Sequence, residues 1–238
     1  RKIAGNARDL ARNNIGSFHQ SQRGRTMIYE VRTYNCKPGS MPEVLKRFGE
    51  AYEGRKALSP MAAFWHTEIG PLNQIIHVWP YKDHAERDQI RAEAVKRGVW
   101  PPKIGEFLLE QKSDIFIPFA ISPELKPGHF GPFYEMRTYT YESGELPVIM
   151  KAWENAIEER VKVTPVTAIW YSDLGGLNKF VHIWPYKDLN QRDETRKKMI
   201  ATGNWPPSAK AKKEGGRAYR LLAQENKIML PAPFSPMQ

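Results

Sequence analysis

His77-Val78-Trp79-Pro80-Tyr81-Lys82-Asp83 returns 105 residues later as His182-Ile183-Trp184-Pro185-Tyr186-Lys187-Asp188. The same offset holds without a gap from Tyr29/Tyr134 to Pro102/Pro207. Roughly 30 of about 75 aligned positions are identical, which marks an internal duplication. Tyr29-Glu30 answers Tyr134-Glu135, Arg32-Thr33-Tyr34 answers Arg137-Thr138-Tyr139, and Trp65 answers Trp170. Arg87, Asp88 and Arg91 answer Arg192, Asp193 and Arg196. After an insertion of about eight residues in the second copy, the match resumes at Leu108-Leu109 with Leu221-Leu222, and at Ser122-Pro123 with Ser235-Pro236.

Each copy reads as β-α-β-β-α-β. Around Met27–Asn35, Tyr29, Val31 and Thr33 alternate with Glu30, Arg32 and Tyr34, the period of a strand. Val44, Leu45, Phe48 and Tyr52 recur at helical spacing within 41–56. A strand over 63–69, a Gly70-Pro71-Leu72-Asn73 hairpin and a strand over 74–79 follow, with Pro80 read as the end of the third strand. Asp83 is the expected N-cap of a polar helix to Arg97, closed by Gly98. Pro101-Pro102 is expected to open a short helix through about Lys112, before a fourth strand at Ile115-Phe116-Ile117. The second copy repeats this with strands near 133–140, 167–174, 179–184 and 227–230.

This order is the ferredoxin-like unit. The predicted fold class is therefore α+β: two tandem ferredoxin-like repeats packed as an intrachain dimeric α+β barrel. The predicted divisions are a basic arm (1–26), repeat one (27–122), a linker (123–132) and repeat two (133–238). Each repeat has one sheet, so two faces must be distributed. Tyr29, Val31, Ile76 and Val78, with Tyr134, Met136, Val181 and Ile183, form the apolar face, which is assigned to the helices. Glu30, Arg32, Tyr34, His77 and Trp79, with Trp65 and the second-copy mates, form the polar and aromatic face, expected where the two sheets meet.

Composition narrows the function. The single cysteine, Cys36, excludes an internal disulfide framework and a cysteine-based zinc site, and points to a reducing compartment. No apolar run reaches the length of a membrane-spanning helix. The net charge of +10 is uneven. Residues 1–26 carry Arg1, Lys2, Arg8, Arg12, Arg23 and Arg25 against Asp9, a composition like that beside a mitochondrial presequence. The stretch 191–220 holds a second excess, including Lys210, Lys212 and Lys213. Both are candidate docking surfaces for an acidic protein partner, with an anionic membrane surface as the other candidate, and a solvated helix face accounts for most of the charge in 191–220. Folding of the arm onto its own domain stays open. Nucleic acid is disfavoured, because the basic stretch lacks an interleaved aromatic platform.

If the chain is an enzyme, His77 and His182 are the candidate bases, with Glu30 and Glu135 as orienting carboxylates. The competing role for each histidine is a hydrogen-bonded structural group. Arg32, Tyr34, Trp65, Trp79, Arg137, Tyr139, Trp170 and Trp184 are the ligand-binding candidates, weighed against a salt-bridge network and aromatic anchors. No metal site is expected: His66 becomes Tyr171, His84 becomes Leu189, and His19 and His129 lie outside the duplication. No cofactor motif is present; Gly215-Gly216 lacks the strand and pattern of a phosphate loop.

Taken together, Tyr-Glu-x-Arg-Thr-Tyr, a Trp before a Gly-x-Leu-Asn hairpin, His-x-Trp and an Arg-Asp-x-x-Arg helix occur twice in order. With Phe234-Ser235-Pro236 near the end, this set resembles the NIPSNAP family over residues 28–238. The resemblance implies a mitochondrial protein, in the matrix or on the matrix side of the inner membrane, or a bacterial cytoplasmic one. It implies action by interaction, as an accessory subunit of a larger assembly or an adaptor in mitochondrial quality control. Homo-oligomerisation is left open. The alternative is a small-molecule enzyme of the dimeric α+β barrel type, monooxygenase-like, using the cavity between the sheets.

Overall fold

Strands β1 (Ile28–Cys36), β2 (Ala63–Ile69), β3 (Gln74–Tyr81) and β4 (Leu108–Pro118) belong to the first repeat. Strands β5 (Phe133–Tyr141), β6 (Ala168–Leu174), β7 (Lys179–Tyr186) and β8 (Leu221–Pro231) belong to the second. In the computed structural model, which describes residues 27–238, they close one barrel in the order β1-β3-β2-β8-β5-β7-β6-β4. All neighbours are antiparallel; β2–β8 and β4–β6 join the repeats. Among the described residues, five helices pack outside: α1 (Met41–Arg55), α2 (His84–Lys96), α3 (Leu146–Val161), α4 (Leu189–Ala201) and α5 (Pro207–Lys213). The basic arm 1–26 lies outside the described residues.

Local chemistry sets the element ends. The Asp83 carboxylate accepts from the Glu86 N–H at 2.8 Å, and Asp188 accepts from Gln191 N–H at 2.7 Å, so both helices start at a side-chain cap. Asn73 and Asn178 turn the two hairpins at φ of 57° and 54°, the left-handed region asparagine tolerates. Two expected boundaries are corrected. β3 runs through Pro80 to Tyr81, because its β2 neighbour has already ended at Ala63↔Val78 and the missing N–H breaks no ladder bond. Instead of a helix through Lys112, the first repeat has one 3-10 turn, Gly105–Phe107, and then β4. Residues 108–116 pair along nearly the whole of β1, and satisfying that edge outweighs local helix signals.

The face assignment is inverted in the structure. Tyr29, Val31, Ile76 and Val78 point into the barrel, where they meet Tyr134, Met136, Val181, Ile183 and Met229. Trp65 and Trp170 are there too and are fully buried, since Trp65 lies opposite Ile76 in the register and not beside His77. Tyr29 stacks on Trp170 at 4.8 Å, and Trp65 packs on Tyr134 at 5.2 Å, each contact crossing between repeats. Glu30, Arg32, Tyr34, His77 and Trp79 face the helices instead. The physical reason is water access. The middle of the barrel is filled by apolar side chains, where an unpaired charge would be costly. The layer between sheet and helix opens at its rim, where Arg32 and Arg87 reach solvent while their guanidinium groups hold Glu30.

Each repeat also sends its tail onto the other. Phe119 and Ile121, after β4, pack in the second repeat's helix-side core. Ala232 and Phe234, after β8, pack in the first repeat's. Ser122 Oγ accepts the Ile169 N–H at 3.0 Å, and Ser235 Oγ accepts the Phe64 N–H at 2.9 Å. The matched Ser-Pro pairs are the anchors of this exchange.

Candidate functional site

Two sites of common design lie between sheet and helices. In the first, Glu30 is fully buried on β1. One of its oxygens, Oε1, accepts from Arg32 Nη1, Arg87 Nη2 and Ser113 Oγ, each at 2.8 Å. Arg91 lies 3.5 Å from the other oxygen. Arg87 and Arg91 are four apart on α2, so one helix face carries both to the carboxylate. Burial by itself would raise the Glu30 pKa; the Arg87 hydrogen bond and the charges of Arg91 and Arg32 outweigh it and hold it at about 2. In the second, Glu135 accepts from Arg137 at 3.1 Å and Arg192 at 2.6 Å. Arg32 and Arg137 each donate through Nε to a tyrosine hydroxyl, Tyr34 at 2.6 Å and Tyr139 at 2.8 Å.

The histidines sit beside these networks without joining them. His77 Nδ1 accepts from the Trp79 indole N–H, and His182 Nδ1 from that of Trp184, both at 2.6 Å. An indole nitrogen only donates, so the Nδ1 lone pair is the acceptor and the ring proton resides on Nε2. Nε2 is buried and unpartnered in both. Burial, followed by the charge of Arg32, pushes His77 down to about 3. His182 lies well below the usual histidine range, through burial and then Arg137 and Arg160. The orienting carboxylate expected for each histidine is thus replaced by an indole, and the imidazole is a neutral donor.

In the second repeat a cavity of about 550 Å³ opens between β5, β7, α3, α4 and α5. Arg137, Tyr139, His182 and Trp184 of the predicted set line it, as does Glu135. Trp205, the mate of Trp100 and readable as a stacking candidate with the other paired tryptophans, lines it too, whereas sequence reasoning missed Trp153, Arg160, Arg196 and Tyr219. For Arg160 the signal was available, since Arg55 stands at the matching position. Arg160 is buried, donates to the Thr164 carbonyl and the Tyr186 hydroxyl, and lies 4.0 Å above the Trp184 ring. Arg196 forms no hydrogen bond or ion pair among the described residues. In the first repeat Ile104 is buried in the helix-side core, and Phe107 and Leu108 pack against that core. Trp65 and Trp170, inside the barrel, are not at either site.

Of the predicted docking lysines, Lys212 and Lys213 are exposed on α5, while Lys210 Nζ bonds the Asn155 carbonyl at 2.5 Å. No group of three or more metal-ligating side chains exists among the described residues.

The family model for NIPSNAP matches residues 29–123 and again residues 134–236. NipSnap homolog 3A of Homo sapiens is 27% identical over 98% of this chain and 95% of its own length. The NipSnap homolog of Dictyostelium discoideum is 27% identical, over 95% of this chain and 98% of its own. Among solved structures, an anthrone oxidase-like protein superposes with a TM-score of 0.59 over 89% of this chain and 93% of that one. At 8% identity, that likeness speaks for the barrel architecture alone.

Proposed function

The chain belongs to the NIPSNAP family, and from that membership and the state of its histidines we propose that it acts by protein–protein interaction. In this reading it is a non-catalytic accessory subunit of a mitochondrial assembly, or an adaptor, on the matrix side. The observation that carries the proposal is the indole lock on His77 and His182. A general base needs a free lone pair and a pKa near the working pH. Here the lone pair is taken and the pKa is far too low, in both copies. The duplicated polar residues therefore serve to tie the helices to the outer face of the barrel. Lys212 and Lys213 add an exposed basic surface suited to an acidic partner, and exposed charge of this kind speeds encounter and sets register. The arm 1–26 is a second candidate surface of the same sign.

The test uses the full chain, tagged, in cells of its source. Mitochondria are opened in mild detergent and resolved on a native gel. The chain should migrate in an assembly well above its own 27.4 kDa. Added salt should release it, since exposed contacts are screened over about 8 Å at physiological ionic strength. K212E with K213E should weaken retention and leave the melting temperature unchanged. Migration as a free monomer at every salt concentration would sink the proposal.

A further inference from the structure

We propose that the second-repeat cavity is a binding site for a small, flat aromatic acid, one or two fused rings bearing a carboxylate. The inference goes beyond the interaction reading and does not depend on it. The walls set the shape of the ligand. Trp153 and Trp205 meet at 5.2 Å and 81°, and Trp184 and Trp205 at 5.9 Å and 85°. Rings at right angles make the corner of a box, whose faces accept a flat ring stacked on one wall and edge-on to the next. About 550 Å³ is within the range of small-molecule sites.

The charges set its sign. Glu135 is the one carboxylate in the wall among the described residues, and Arg137 and Arg192 already neutralise it. Arg160 is tied to Thr164 and Tyr186. That leaves Arg196, half-buried and without an ion pair among the described residues, and Lys212 at the rim. In the first repeat the matching arginine, Arg91, lies 3.5 Å from Glu30; in the second the guanidinium remains available. A planar carboxylate is the group an arginine fork receives in two parallel hydrogen bonds. His182 adds a buried N–H with no acceptor on the wall of the same cavity. A donor left unpaired in an apolar surrounding is costly, and a ligand oxygen would relieve that cost.

The probe is 1-naphthoate, titrated into the full chain by calorimetry and by tryptophan fluorescence. Its control is 1-naphthamide, equal in shape and uncharged. The naphthoate should bind, and the amide at least about tenfold more weakly, the loss of one charge-assisted pair. R196Q should erase the difference between the two probes. Ala209 lines the cavity, so A209I adds bulk to its wall and should remove binding of both, with melting curves confirming that each variant folds. No naphthoate binding up to about 1 mM, the weak end of specific small-ligand association, overturns the proposal. Equal binding of acid and amide to the parent chain overturns the anionic class. Unchanged binding by folded A209I overturns the location.

Discussion

At the scale of single residues, the buried titratable groups predict how the protein meets acid. The unfolded chain protonates histidine near about 6.5; folded His77 holds out to about 3, and His182 is also strongly depressed. The unfolded state therefore binds more protons below about 6.5, and stability falls as pH drops from there. The slope is at most about 1.4 kcal/mol per pH unit for each histidine. Glu30, depressed to about 2, adds in the same direction lower down. Its contribution is complete above the unfolded carboxylate value, about 4.3, and is lost as pH falls toward about 2. Urea titrations should show a flat plateau above neutrality and a falling limb below it. H77Q combined with H182Q should flatten the part above about pH 4.5. A parent midpoint that stays constant from about pH 7 to about pH 5 would contradict two neutral buried imidazoles. These residues were legible as special because the duplication repeats them. Their hydrogen-bond partners were not, because a histidine beside both a glutamate and a tryptophan can pair with either.

At the scale of elements, the insertion in the second repeat forms a strap over the cavity. Glu145, fully buried at the start of α3, receives both Arg217 Nη atoms and Arg220 Nε at 2.9 Å. Between those arginines Tyr219 turns in to line the cavity. E145Q removes the charge that pins both ends. Trypsin should then cleave after Arg217 and Arg220 severalfold faster, because exposed segments open locally without global unfolding. The melting temperature should move little, since the strap adds no strand to the barrel. Parent-like cleavage rates in E145Q would show that the strap is held by other contacts. The extra residues were visible in the sequence as a break in the repeat. Their anchor was not. Glu145 lies far from them in the chain, and the matching position of the first repeat is Ser40, which carries no charge to mark it.

At the scale of the molecule, the exchanged tails make the two repeats one folding unit. Leu125 of the linker packs on the barrel core, and Gly128 pairs with the segment around Met237. Cleavage at Lys126 should leave two pieces that elute together and melt in one transition. Release of two separately folded halves would contradict the exchange. S235A should cost about 1–3 kcal/mol, because the buried Phe64 N–H loses its acceptor. The loss should be read in urea as a shift of one cooperative midpoint.

The amino-acid sequence by itself determined the duplication, the β-α-β-β-α-β order, both hairpins, the two aspartate caps and the pairing of two repeats in one barrel. These follow from short-range periodicity, turn chemistry and the repeat itself. Which sheet face turned inward was decided only by the tertiary structure. Alternation sorts residues into two sets, but a sheet has no inside until it closes. The middle of the barrel took the apolar set, and the solvent-rimmed helix layer took the arginines and glutamates. The second-repeat cavity was likewise tertiary, because its wall includes a strap pinned by Glu145 from across the fold.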